Sequence, residues 1–148
     1  MDMPDRKRVA DVRQLKRIYL DEVVTERNRS IALWGRKCQP QIIYTLLGYE
    51  VKAGKKRITC PDTVTARYLS LFSELGLDSV RLPYDPTVTA RILPQLEAVM
   101  EAIKEQVRTQ EPDQRRAQKV LRATYSSARR HIKTAEKKAI PAVNAPGQ

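Results

Sequence analysis

The chain has 148 residues, 28 Lys and Arg against 17 Asp and Glu, and a formal charge of +11. Hydrophobic residues make up 41%, enough for a core, which excludes a wholly disordered chain and predicts one compact domain. Cys38 and Cys60 cannot make a disulfide framework or a four-ligand zinc site, and no cofactor is expected.

The charge is uneven. Residues 30–61 hold 6 basic and 1 acidic side chains, residues 62–113 hold 5 and 9, and residues 114–148 hold 9 and 1. The middle is anionic, and the cations gather around Lys52–Arg57 and at the C-terminal end. Clustered positive charge is the footprint of a polyanion binder. No apolar run approaches a membrane span and no signal-like stretch opens the chain, so a cytoplasmic protein without a membrane partner is expected.

Residues 7–28 predict a helix, because Val9, Val12, Leu15, Tyr19 and Val23 recur at three- and four-residue steps. The run Ile31-Ala32-Leu33-Trp34 fits a strand or a packed helical turn. Gln39-Pro40-Gln41 predicts a short helix with Ile42, Ile43, Leu46 and Leu47 on its buried side and Gly48 as its stop. Tyr49–Lys52 alternates, Ala53-Gly54-Lys55 turns, and Lys56–Cys60 resumes extended character, so a β-hairpin is predicted. Asp62 or Thr63 then caps a helix to about Leu75, with Val64, Tyr68, Leu71, Phe72 and Leu75 as its apolar stripe and Gly76 after it. Val80 and Leu82 mark a strand ended by Pro83.

Asp85-Pro86 starts a further helix to about Thr109, in which Pro94 forces a kink or a restart. Residues 114–139 predict a last helix. Its stripe is narrow and mostly Ala, so little burial is expected. Residues 140–148 read as a disordered tail. Domain boundaries follow: an N-terminal helix to 29, a core over 30–110, a basic helix over 111–139, and the tail.

Thr63-Val64-Thr65-Ala66-Arg67-Tyr68-Leu69 nearly repeats as Thr87-Val88-Thr89-Ala90-Arg91-Ile92-Leu93. Two successive strand–helix units predict parallel strands joined by a right-handed crossover. With the hairpin they give an α/β or α+β layer, a small three-stranded sheet covered by helices. Asp62 and Asp85 would then lie at one sheet edge, either as helix caps or as a metal-holding pair.

Several motifs bear on function. Thr65–Leu69 with Phe72 resembles the recognition helix of winged-helix DNA-binding proteins, which implies an outward-facing Arg67, but a hairpin precedes it instead of a helix and turn. The Asp62 region with Glu50-Val51-Lys52 is similar to a metal-dependent nuclease core, but the acidic-x-Lys triplet precedes the Asp instead of following it. His131 is the only histidine, so no multi-histidine site is available. Cys38, beside Arg36 and Lys37, is a candidate lowered-pKa thiol. Tyr49 and Tyr125 lie among cations, where an aromatic ring either stacks on a base or packs in the core.

The sequence therefore predicts a non-enzymatic DNA- or RNA-binding protein. Phosphate contacts are expected from Lys52, Lys55, Lys56 and Arg57 on the hairpin. On the last helix they are expected from Arg115, Arg116, Lys119, Arg122, Arg129, Arg130, Lys133, Lys137 and Lys138. Two alternatives remain open. One is an interaction module docking on a larger acidic assembly. The other is a nuclease using Asp62 and Asp85.

Overall fold

The computed structural model describes residues 11–143, with side chains to residue 138. Val9 and residues 144–148 lie outside the described residues. The fold is mixed α/β. α1 (Val12–Ile18) continues into a π-helical turn (Tyr19–Val24). The strands are β1 (Asn28–Ala32), β2 (Gln41–Thr45), β3 (Gly48–Ala53), β4 (Lys56–Cys60) and β5 (Ser79–Pro83). α2 (Thr63–Leu75), α3 (Pro86–Gln110) and α4 (Gln114–Val143) complete it.

Local signals explain the helix boundaries. Asp11 and Gln14 form a capping box at the start of α1. Asp62 accepts from the Thr65 amide at 2.7 Å, and Gly76 ends α2 with φ 90°. Asp85 accepts from the Thr87 amide and hydroxyl at 2.9 and 2.8 Å. α3 runs unbroken through Pro94. Pro94 and Ala90 are both exposed, so the carbonyl that loses its helical donor can turn to water.

Two expectations are corrected. Residues 41–45 form a strand, not a helix. The run Ile42-Ile43-Tyr44-Thr45 is β-branched and aromatic, and it pairs with β3 through a two-residue turn at Leu46-Leu47. The Thr45 hydroxyl pins that turn, accepting from the Leu47 amide at 3.1 Å. Ile42, Leu46 and Leu47 are therefore exposed instead of buried.

The parallel crossover is also absent. β2, β3 and β4 form an antiparallel meander, while β5 pairs antiparallel with β1 in a separate ribbon. The three-stranded sheet thus takes β2 as its third strand, not Ser79–Pro83. The physical reason lies at Arg81. Its amide donates to the Tyr19 hydroxyl at 2.8 Å, and its carbonyl accepts from the Tyr68 hydroxyl at 2.7 Å. Two buried tyrosines thus take the backbone groups through which β5 would join a further strand.

The core lies between the sheets and the helices. α2 packs on the inner face of β3 and on α3, and α1 packs on α3 and α4. Tyr19, Tyr68 and Phe72 form its aromatic centre, with ring centroids 5.4 and 5.0 Å apart. α4 buries Tyr125, Ala128 and Ile132, and the Tyr19 hydroxyl donates to Glu136. Small residues on the Ala stripe let α4 approach closely, so the helix is docked in the core and extends beyond residue 139, where the tail was expected.

Candidate nucleic-acid interface

At 3.6 residues per turn, Arg115, Lys119, Arg122, Arg129, Arg130, Lys133 and Lys137 fall within an arc of about 100° on α4. Arg116 and Lys138 point elsewhere on this wheel. Lys138 shares a groove of about 500 Å³ with Lys16, Arg130 and His131. Arg115, Lys119, Arg122, Arg130 and Lys137 are exposed, with no ion pair among the described residues. Arg116 pairs with Asp113 at 3.7 Å and Lys133 with Asp78 at 3.3 Å.

Arg129 is held for another purpose. It is half-buried, and its guanidinium donates to the Leu75 carbonyl at 2.6 Å and to the Ser126 hydroxyl at 2.9 Å. It thereby covers the C-terminus of α2. A Cβ on Gly76 would stand 2.7 Å from this guanidinium and 2.8 Å from the Lys37 amide nitrogen, so the bare Gly76 lets both approach.

This close approach brings the 33–38 segment against α4. Burial, then the Arg122 and Arg129 charges, hold the Lys37 ammonium below the usual lysine range. The Arg36 guanidinium lies 5.7 Å from the Trp34 ring centroid. The Trp34 indole in turn covers Gly54 at the tip of the basic hairpin, so closely that a Cβ there would be 2.3 Å from its Nε1. Trp34, Arg36 and Lys37 thus join the two basic elements, a connection that sequence reasoning misses. The adjacent Arg36 and Lys37 within a cationic stretch are the signal that could have found it.

The hairpin cations divide. Lys52 and Arg57 oppose each other across β3 and β4 and are exposed. Directly opposed like charges disfavour the pairing, and Arg57 is offset by Glu50 at 3.6 Å. Lys55 is exposed in the turn, while Lys56 is half-buried opposite Ala53 on the inner face.

Other candidates are used structurally. Tyr125 is buried and donates to Glu74 at 2.8 Å, so it offers no stacking face. Tyr49 is half-buried against Tyr44, with ring centroids 5.4 Å apart. Ala66, Tyr68 and Leu69 are buried and Arg67 is salt-bridged to Glu97, so α2 is not an outward-facing reading helix. Asp62 and Asp85 serve as caps, and no cluster of three or more potential metal ligands occurs among the described residues.

Cys38 is corrected as well. It lies in a cavity of about 300 Å³ with Lys37, Arg122, Glu74 and Tyr125. Burial and the Glu74 charge push its thiol up, not down. Burial and Asp62 push Cys60 up to about 11. Iodoacetamide at pH 8 is therefore expected to label both thiols more slowly in the folded protein than in denaturant, Cys60 the slower of the two. Rapid labelling of folded Cys38 would show that Arg36 and Lys37 activate it after all. The sign for stability follows from the same cause. The neutral Cys60 thiol supports the fold fully below the ordinary thiol range, and that support is lost as pH rises toward about 11.

Comparison of the chain with protein-family models, curated proteins and solved structures finds no match. Among the described residues no helix is long and apolar enough to cross a membrane.

Proposed function

We propose that the protein is a non-enzymatic nucleic-acid binder that grips phosphates along α4, the Trp34–Lys37 segment and the basic hairpin. The observation that carries this reading is that Arg115, Lys119, Arg122, Arg130 and Lys137 lie exposed on one arc of α4 with no ion pair among the described residues. Like charges held together oppose folding unless an anion offsets them. Lys37 and Arg122 line one cavity with Glu74, but Tyr125 and Lys104 already occupy that carboxylate at 2.8 and 3.0 Å. The exposed cations on the α4 arc extend the surface over about 33 Å between Arg115 and Lys137, at 1.5 Å per residue. Contacts of this kind bind backbone without reading sequence.

The test is affinity for duplex and single-stranded oligonucleotides over a salt series. Binding is expected to weaken with salt at about 0.9 logarithmic units per phosphate neutralised on duplex DNA, for a total slope near −5 to −7. Affinity indifferent to salt, or no binding, overturns the proposal.

A second reading, docking on another protein, is favoured by one observation. Tyr44, Leu46 and Leu47, on the uncharged strand β2 and its turn, are exposed to 77%, 104% and 83%. A nuclease-resistant stoichiometric complex with an acidic protein, lost when Leu46 and Leu47 are replaced by Ser, would favour it over phosphate binding.

A further inference from the structure

A second cationic cluster lies at the far end of the β1–β5 ribbon, away from Lys133. The Tyr84 amide donates to the Arg27 carbonyl at 3.0 Å, which extends the antiparallel ladder one pair beyond Asn28 and Pro83. Directly opposed residues share a face, and so do alternate residues on one strand. Arg27, Tyr84 and Arg29 therefore lie on one face, with the guanidiniums 5.8 and 5.7 Å from the ring centroid.

The cluster is built, and it is open. Asn28 is buried, and its amide donates to the Glu26 carbonyl at 2.7 Å and the Val23 carbonyl at 3.3 Å. This fixes the chain between the two arginines as it leaves the π-helical turn. Tyr84 nevertheless remains 57% exposed. Both arginines are exposed, and neither has an ion pair among the described residues. The neighbouring carboxylate of Asp85 is held by Thr87, and Glu22 by Arg91 at 2.7 Å. Exposed cation–π contacts contribute little stability, so packing alone does not account for a solvent-exposed ring beside two cations that have no ion pair among the described residues.

We propose that Arg27, Tyr84 and Arg29 form a stacking site for an unpaired base of single-stranded nucleic acid, the arginines taking the flanking phosphates. The proposal rests on the phosphate-binding reading above and deepens it. A duplex keeps its bases inside the stack, whereas a single strand can lay one on an aromatic ring. The site lies about 20 Å from Asp78, the partner of Lys133, at roughly 3.3 Å per residue along β5. A single strand engaged at that end of α4 can therefore reach it.

The experiment compares the full chain with Tyr84→Ala and Tyr84→Phe, by anisotropy of a labelled single strand (DNA and RNA) and of the corresponding duplex. Tyr84→Ala is expected to weaken single-strand binding roughly tenfold, with Tyr84→Phe near the unaltered protein and duplex affinity unchanged. Equal single-strand affinity in Tyr84→Ala, or equal losses on both ligands, overturns the stacking site while leaving phosphate binding in place. Failure of the unaltered chain to bind either ligand overturns both.

Discussion

Ile132→Ala is expected to destabilise the protein by about 2–5 kcal/mol, and truncation after Thr109 to abolish cooperative unfolding. Ile132 is 1% exposed, and α4 around it packs on α1 and its π-helical turn. Removing its side chain leaves a cavity that α1 cannot fill, because the Tyr19 hydroxyl ties that helix to Glu136 on one side and to the Arg81 amide on the other. Truncation does more. It withdraws Tyr125 and Ile132, each contributing roughly 2–3 kcal/mol by burial. It also leaves the Tyr19 hydroxyl without its acceptor and the end of α2 without the Arg129 guanidinium. The sum approaches the roughly 5–15 kcal/mol that holds a whole domain together. Thermal melts followed by circular dichroism check both. Ile132→Ala is expected to lower the midpoint by roughly 10 °C. A truncated chain that melts like the full one would show α4 to be a mere appendage.

How much of this was legible depended on how local the signal was. α2 was readable because Asp62, the apolar stripe and Gly76 lie within one segment. The hairpin was readable because alternation and a glycine turn are also local. Residues 41–47 misled because Ile42, Ile43, Leu46 and Leu47 fit one side of a helix as well as they fit a strand and turn. The choice was settled by pairing with β3 and by the β-branched run. The repeat at Thr63 and Thr87 marked two capped helix starts, but it could not name the partners of the strands before them. β5 found β1, some fifty residues upstream, and Tyr19 and Tyr68 closed its other edge.

The same limit governs the candidate site. Composition exposed the cations of α4, and helical periodicity placed them mainly outside the apolar stripe. It could not show that Arg129 caps α2, or that Trp34 covers Gly54. It left Tyr125 open between a stacking face and the core, because the Ala positions alone made the stripe look thin. Small residues lowered the predicted burial while permitting the close packing that seats Tyr125 and Ile132.

Replacing Lys119, Arg130 and Lys137 with Gln is expected to cut duplex affinity several hundredfold near 0.1 M salt, by about eightfold for each phosphate left without its cation. The three fall nearly on one line of α4, spanning about 27 Å at 1.5 Å per residue, and none has an ion pair among the described residues. Gln is a good helix former, so the exposed surface changes charge with little effect on stability. The salt slope should fall by about 2.7 in parallel, since each neutralised phosphate contributes about 0.9. A control removes the same charge elsewhere. Arg13, which pairs with Asp11 at 3.7 Å, Arg108, which pairs with Glu105 at 2.6 Å, and the exposed Arg17 are replaced by Gln together. Long-range attraction depends on total charge and is screened within about 10 Å at this salt, so the control should weaken binding only a few-fold. Isothermal titration or anisotropy over the salt series separates the two variants. Equal weakening in both would mean that overall charge, not the α4 arc, holds the polyanion, and the interface would have to be assigned elsewhere.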